Sequence, residues 1–174
     1  MSALRNSLLG GISVLALSCT MVGVTGTATA ATAHNTPLAT RAATSSPADW
    51  LVNAHSNKCL EIVNSSTSNG ARAQLWTCKG QAGSIWRLKP DGTLRNPHSG
   101  KCLEIANSSA SNGARAQLWT CKGQAGSIWR LKPDGTLRNP HSGKCLEIAN
   151  SSASNGARAQ LWTCKGQAGA VWGP

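Results

Sequence analysis

The chain of 174 residues has 17 Lys and Arg against 6 Asp and Glu, a formal net charge of +11. Its basic residues are spread along the sequence without a long run, which favours a role in solubility over a dedicated nucleic-acid tract. Because it has 7 Trp but no Phe or Tyr, Trp, Leu and Ile must supply nearly all of the large apolar side chains of a core. The part of the chain that we expect to fold, residues 49–174, is near the commonest size of a single domain, so a second globular domain is not expected.

Residues 1–30 have the pattern of a signal peptide. Arg5 provides a positive start, an apolar stretch runs to Val24, and small residues then suit cleavage after Ala30 or Ala33. The apolar stretch is short and no charged stop-transfer cluster follows it. We therefore expect a secreted, extracellular protein with no membrane span after cleavage.

Residues 31–48 are rich in Thr, Ala, Pro and Ser and predict a linker. A lipoprotein signal, cut before Cys19, is the less favoured alternative for the leader, because the apolar run continues past that residue. The globular domain is predicted to occupy residues 49–174, and Trp50 is its first large apolar residue.

The domain is an internal repeat. Nearly identical copies start at His55, His98 and His141, a period of 43 residues. Such a unit cannot bury its apolar face alone and packs on its copies, so a binding site within one unit is expected three times and a single catalytic centre is disfavoured. The predicted repeats are about residues 49–92, 93–135 and 136–174.

Each repeat contains two cysteines. An even number of cysteines in an exported chain favours disulfides, and six allow fifteen pairings. The regular repeat makes pairing within each unit the simplest choice, and each bond would contribute about 3 kcal/mol by restricting the unfolded chain. A zinc site is disfavoured because no C-x-x-C pair is present. The predicted disulfides are Cys59–Cys78, Cys102–Cys121 and Cys145–Cys164.

The middle repeat alternates short apolar segments with turn residues and lacks a helical period. Strands are predicted at residues 94–96, 101–105, 116–121 and 127–131, with a polar loop over residues 107–113 that ends in the turn signal Asn-Gly.

Four strands in each of three repeats give twelve strands. A propeller needs at least four blades, so a closed threefold barrel fits better. The rings expected in its core are Trp86, Trp129 and Trp172.

The order Lys-Cys-Leu-Glu-Ile, Asn-Gly, Ala-Gln-Leu-Trp-Thr-Cys, and then a Trp eight residues after that Cys, resembles the ricin B-type lectin repeat. The resemblance covers residues 48–174. It implies an all-β fold, a β-trefoil of three four-stranded repeats with six barrel strands, three capping hairpins and one disulfide in each repeat. It also implies a carbohydrate-binding module.

The resemblance places a sugar-binding acid two residues after the first Cys of each repeat, and a Gln and a Trp on the third strand. Carboxylate and amide groups can hydrogen-bond sugar hydroxyls, and an indole face can pack on a pyranose ring. The candidate carbohydrate-binding residues are Glu61, Gln74, Trp76, Glu104, Gln117, Trp119, Glu147, Gln160 and Trp162.

Two features depart from the family pattern. The acid is Glu where the family usually has Asp, and the Asn-Gln pair before the final Trp is replaced by Gly-Ser or Gly-Ala. A pocket without those amides could bind more weakly, choose a different sugar, or not bind sugar. The replaced pairs are Gly83-Ser84, Gly126-Ser127 and Gly169-Ala170.

The sequence therefore predicts a secreted, monomeric lectin that binds a glycan or polysaccharide weakly and multivalently, without metal or cofactor. One alternative is charge-driven binding of an anionic polymer, such as cell-wall polymer, acidic glycan or nucleic acid. Another is a non-sugar interaction or inhibitor scaffold. Enzymatic activity is not expected, because no nucleophile–base–orienter set or catalytic carboxylate pair is apparent.

Overall fold

The computed structural model describes residues 49–173. The predicted signal peptide and linker lie outside these residues. The described part of the chain is built from twelve short strands and several 3-10 turns, and it contains no helix long and apolar enough to cross a membrane.

The strands form three antiparallel sheets of four, in the orders β12-β1-β2-β3, β4-β5-β6-β7 and β8-β9-β10-β11. Each sheet joins the last strand of one repeat to the first three strands of the next, so the sheets cross the repeat boundaries. The strands are β1 Val52–Asn53, β2 Lys58–Ile62, β3 Ala73–Trp76, β4 Arg87–Leu88, β5 Leu94–Asn96, β6 Lys101–Ile105, β7 Ala116–Trp119, β8 Arg130–Leu131, β9 Leu137–Asn139, β10 Lys144–Ile148, β11 Ala159–Trp162 and β12 Trp172–Gly173.

Six of these strands close into a ring. Strand β1 pairs with β12, β4 with β5, and β8 with β9. Single antiparallel bridges complete the ring between those pairs: Trp50↔Ile85, Thr93↔Ile128 and Thr136↔Val171. Closure removes exposed strand edges that would otherwise pair with other chains.

The other six strands form three hairpins, β2–β3, β6–β7 and β10–β11. The hairpins also bond to one another, because each third strand pairs with the segment that precedes the third strand of a neighbouring repeat. Leu118 donates its N–H to the carbonyl of Ala71, and Gly70 donates to the carbonyl of Leu118, both at 2.8 Å. The ring of six strands and the three hairpins are the barrel and cap of a β-trefoil, as predicted.

The core contains the predicted tryptophans. Trp129 is 1% exposed, and its Nε1 donates to the carbonyl of Leu103 at 3.0 Å. The β5–β6 pairing ends at Cys102, so the carbonyl of the next residue accepts the indole hydrogen bond in place of a further strand bond. Trp86 and Trp172 make the same bond, at the same distance, to the carbonyls of Leu60 and Leu146.

The six cysteines of the repeats form the three predicted disulfides, one in each repeat. Each bond joins the second strand of a repeat to the segment just after its third strand. Because it closes a loop of 19 residues, each is expected to stabilise the fold by about 3 kcal/mol.

Two predicted strands are shorter in the structure. Strand β7 ends at Trp119, and β8 covers only Arg130–Leu131. The expected start of β8 is instead a 3-10 turn, Ala125–Ser127, which packs against a second 3-10 turn, Ala106–Ser108. The close backbone contact between these two turns bends the chain away from an extended conformation.

Replacing Trp129 with Phe should lower the free energy of unfolding by about 3 kcal/mol, because it leaves a buried carbonyl unpaired and opens a small cavity. Trp119→Phe, at a ring that is 36% exposed, is the matched control and should change it by less than about 1 kcal/mol. Chemical denaturation of both variants measures the difference. Equal effects would contradict the role assigned to the buried indole.

Candidate functional site

The predicted acid and amide of each repeat lie opposite one another on paired strands. Glu61 pairs with Gln74 across β2–β3, Glu104 with Gln117 across β6–β7, and Glu147 with Gln160 across β10–β11. All six side chains are buried, with exposures of 3–5%. The third-strand tryptophans lie two residues further along and are more open: Trp76 is 37% exposed, and Trp119 and Trp162 are each 36% exposed.

In the middle repeat these three groups line one cavity of about 290 Å³. Glu104 and Gln117 provide its buried polar groups, and Trp119 provides an exposed aromatic ring. Ala106, Asn107 and Arg115 complete the lining. The structure thus brings together the acid, amide and indole that the sequence predicted as one site.

A second cavity of similar volume, about 270 Å³, lies near strands β4 and β8. Leu88, Leu131 and the basic residues beside them line it, and no carboxylate or side-chain amide is present there. The cavity at Glu104 is therefore the better candidate for binding a polar ligand.

The buried carboxylates lie in an environment that disfavours their charge. Burial raises the pKa of Glu104, and hydrogen bonds from the side chains of Gln117 and Gln124 offset the shift only in part. The pKa values of Glu61 and Glu147 are raised for the same reason, with equivalent glutamines opposing the shift.

Each site also contains a buried acceptor without a protein partner: Oε2 of Glu61, Oε2 of Glu104, and Oε1 of Gln160. In the third repeat the Nε2 of Gln160 donates to Oε2 of Glu147 at 3.3 Å, so there it is the amide oxygen that stays free. Buried polar groups are normally paired, so an unpaired acceptor repeated three times suits a ligand that brings hydroxyl donors.

A glutamine that was not among the predicted site residues supports the acid from the following loop. Gln124 accepts a hydrogen bond from the backbone N–H of Lys122 at 2.8 Å and donates to the carbonyl of Thr120 at 2.9 Å. Its amide also contributes to the hydrogen bonding of Glu104. Gln81 and Gln167 make the same loop contacts in the other repeats.

Arg115 and Asn107 were also missed. Arg115 precedes Gln117 and Trp119 by two and four residues, so the alternation of a strand places all three on one face. This two-residue alternation was the sequence signal that could have identified Arg115 as a site residue. The Nη2 of Arg115 donates to Oε1 of Gln117 at 2.6 Å. Asn107 lies in a left-handed conformation with φ of 56°, which asparagine tolerates better than most residues, and the sequence marked it only as the start of the predicted polar loop.

The glycine that replaces the family's Asn is required by close packing. A Cβ on Gly126 would lie 2.6 Å from the carbonyl oxygen of Ile105 and 2.9 Å from the Cα of Ser108. The N–H of Gly126 donates to the Oγ of Ser108 at 2.9 Å. Gly83 and Gly169 have equivalent contacts, so the same close backbone packing excludes a side chain at this position in all three repeats.

Each site is held in part by the neighbouring repeat. Asn69 of the first repeat donates from Nδ2 to the Oγ1 of Thr120, the residue after Trp119, at 3.0 Å. Gly70 follows with φ of 83°, and a Cβ added to it would lie 4.0 Å from Cζ3 of Trp119, so the turn lies beside this ring. The orientation of the indole therefore depends on the Asn-Gly turn of the preceding repeat.

A family model described as the ricin-type beta-trefoil lectin domain matches residues 50–172. The chain belongs to this family. Comparison with curated protein sequences gave no match. The match of the family model confirms the resemblance predicted from the repeated motifs.

Several solved structures share the fold of this ricin-type domain. A designed threefold-symmetric protein, ThreeFoil, is 37% identical with a TM-score of 0.67, over 71% of this chain and 94% of that one. An exo-β-1,3-galactanase from Clostridium thermocellum is 26% identical (TM-score 0.66), over 71% of this chain and 28% of that one. The agglutinin from Abrus precatorius is 25% identical (TM-score 0.63), over 71% of this chain and 46% of that one. The lectin domain thus spans less than half of these two natural proteins.

The raised pKa of the three glutamates predicts a pH-dependent stability. The folded protein holds their protons more tightly than the unfolded chain, so their contribution is fully present below the ordinary glutamate pKa and is lost as pH rises through the raised value. The triple variant Glu61→Gln, Glu104→Gln and Glu147→Gln should therefore unfold at a higher temperature than the parent at neutral pH. The difference should vanish near about pH 4.

The control for this prediction is Asp91→Asn. Hydrogen bonds from Thr93 lower the pKa of Asp91, so its carboxylate contributes stability at neutral pH that is lost on acidification. This variant should unfold at a lower temperature than the parent at neutral pH. Thermal unfolding followed by circular dichroism across this pH range measures both, and a triple Glu variant that is less stable at neutral pH would contradict the first prediction.

Restoring the family's asparagine by Gly126→Asn should lower the free energy of unfolding by about 2 kcal/mol or more, because the new Cβ overlaps backbone atoms. Gly123→Asn is the matched control in the same loop. Gly123 has φ of 75°, a Cβ there would meet no atom within 4 Å, and asparagine tolerates that conformation. Denaturant titration compares the two variants. If Gly126→Asn left the free energy of unfolding unchanged, the 3-10 turns Ala125–Ser127 and Ala106–Ser108 would be able to separate.

Proposed function

We propose that the chain is a secreted lectin that binds glycans or polysaccharides weakly and multivalently through three equivalent shallow sites. The observation that carries the proposal is the threefold recurrence of an exposed indole beside a buried carboxylate–amide pair. The carboxylate and amide would bind adjacent hydroxyls, and the indole would pack on the sugar ring. Family membership supports carbohydrate binding as the general activity.

Multivalency follows from the symmetry of the trefoil. Each site alone is open and offers few polar groups, which suits a weak interaction. A polymer or a glycan-covered surface that engages two or three sites of one monomer would be held far more tightly than a single sugar. Three disulfides support a secreted protein, because such bonds persist in oxidising compartments. No enzymatic step is proposed for the site.

The function is tested with the folded protein, first on a glycan array and then by titration with the monovalent sugar it selects. We expect three sugars bound per chain. Replacing Trp119 with Ala should reduce this number to two. Replacing Trp76, Trp119 and Trp162 together should weaken sugar binding by about tenfold or more at every site, since each loses its aromatic face.

The matched control removes exposed apolar side chains away from the sites. Leu88 and Leu131 are 46% and 45% exposed, and replacing both with Ala should leave sugar binding unchanged. If the oxidised, folded protein binds no glycan at millimolar sugar, or if the triple Trp variant binds as well as the parent, the proposal fails.

The second candidate, charge-driven binding of an anionic polymer, is favoured by the net charge of +11. Its affinity should fall steeply with salt, whereas contacts to neutral sugars should depend little on it. Affinity for a neutral glycan, measured at two salt concentrations, separates the two functions, because only the lectin function predicts that such a ligand binds and that its binding is nearly independent of salt. The non-sugar interaction or inhibitor scaffold has no specific observation in its favour.

A further inference from the structure

Three arginines at the sites have no acidic partner in the described part of the chain. They are Arg72, Arg115 and Arg158, all exposed, each two residues before the site glutamine of its repeat. The ion pairs in residues 49–173 use other arginines: Arg87 with Asp49, Arg95 with Asp91 and Arg138 with Asp134. The remaining acids of the chain are the three buried site glutamates.

The guanidinium of Arg115 is part of the site rather than a distant surface charge. It lines the same cavity as Glu104, Gln117 and Trp119. Its Nη2 donates a hydrogen bond to Oε1 of Gln117 at 2.6 Å. The side chain of the same glutamine opposes the rise in the pKa of Glu104. Gln117 thus separates the arginine from the acid. A guanidinium has five N–H donors, so most of those of Arg115 remain available to a ligand.

Two arginines of neighbouring repeats also share one cavity. Arg72 and Arg115 both line a further cavity of about 490 Å³, together with Val63, Asn64, Ser66 and Ala71. None of these residues is acidic. Two like charges in one depression repel each other, and an anion placed there would relieve that repulsion while receiving charge-assisted hydrogen bonds.

We propose that the sites select acidic saccharides, in which a carboxylate or sulfate group binds the arginine while neighbouring hydroxyls bind the glutamate–glutamine pair. The inference rests on the proposed lectin function and specifies its ligand. Two features of each site match the two parts of such a ligand. The buried acceptor receives hydroxyl protons, and the exposed guanidinium receives the anion in a planar, two-pronged geometry.

Arg115 also bears on the loss of the asparagine from the family's Asn-Gln pair. Gly126 fits only without a side chain, so the asparagine of that pair cannot return to the same place. Arg115 supplies donors from a different strand of the site, with a positive charge that the amides lacked. The specificity of the site therefore shifts from neutral hydroxyls towards an anionic substituent.

The proposal is tested with polysaccharides that differ only in charge: a polyuronate against its carboxyl-reduced form, and a sulfated polysaccharide against its desulfated form. The folded protein should bind at least one charged polymer about tenfold or more tightly than its neutral counterpart at physiological salt. A preference in the first pair alone identifies a carboxylate, and in the second alone a sulfate. A preference in both identifies a general anion site.

The triple variant Arg72→Gln, Arg115→Gln and Arg158→Gln should reduce that preference to about twofold or less. Glutamine can still donate to the site amide, so this change separates the charge from the positioning of Gln117. The matched control is Lys79→Gln, Lys122→Gln and Lys165→Gln, which removes the same charge from exposed residues outside the described cavities and should keep the preference. Thermal unfolding establishes that both variants fold.

Three outcomes overturn the acidic specificity, and a fourth overturns the lectin function on which it rests. Equal binding of charged and neutral polymers by the parent would leave the lectin function standing without acidic specificity. An equal loss in the lysine control would show that only overall charge matters. Equal losses for charged and neutral polymers in the arginine variant would assign the arginines to positioning alone. Binding of neither form of either polymer, nor of any arrayed glycan, would remove the lectin function itself.

Discussion

The hydrogen bond from each buried indole to a strand carbonyl joins the barrel to the cap. Trp86, Trp129 and Trp172 enter the core at the start of, or next to, a ring strand, and each donates a hydrogen bond to the first strand of a hairpin. The hairpins in turn bond to each other across repeats. No isolated repeat can therefore complete the hydrogen bonds of its backbone and bury its apolar face. The sites form only when all three repeats pack together.

Features that the sequence repeats in a simple period were predictable. The two-residue alternation located the strands, and the pairs of cysteines at constant spacing located the disulfides. The turn over Ala125–Ser127 was not predictable in this way, because it depends on the distance between Gly126 and the backbone near Ser108. Arg115 was missed for another reason: it lies on the same strand face as Gln117 and Trp119, but a surface basic residue is usually explained by solubility alone.

The arrangement of the site residues lowers the stability of the fold. Glu104 is nearly buried, its charge is disfavoured there, and one of its oxygens has no protein partner. A neutral amide would suit the same position better in terms of stability alone. Groups with raised pKa values and unpaired atoms concentrate at functional sites, so the raised glutamate pKa and the unpaired buried acceptor that recur in all three repeats support the proposed binding sites.

Strands β1 and β12 pair with one another just as β4 pairs with β5 and β8 with β9. The junction between the first and last repeats is therefore made by the same contacts as the two junctions that the chain links covalently. Lys58 illustrates this equivalence: its Nζ reaches the carbonyl of Ala153 at 2.6 Å, as Lys101 reaches Thr67. Only the cyclic order of the repeats enters the architecture, so a circularly permuted chain with its ends in another junction would encode the same three sites.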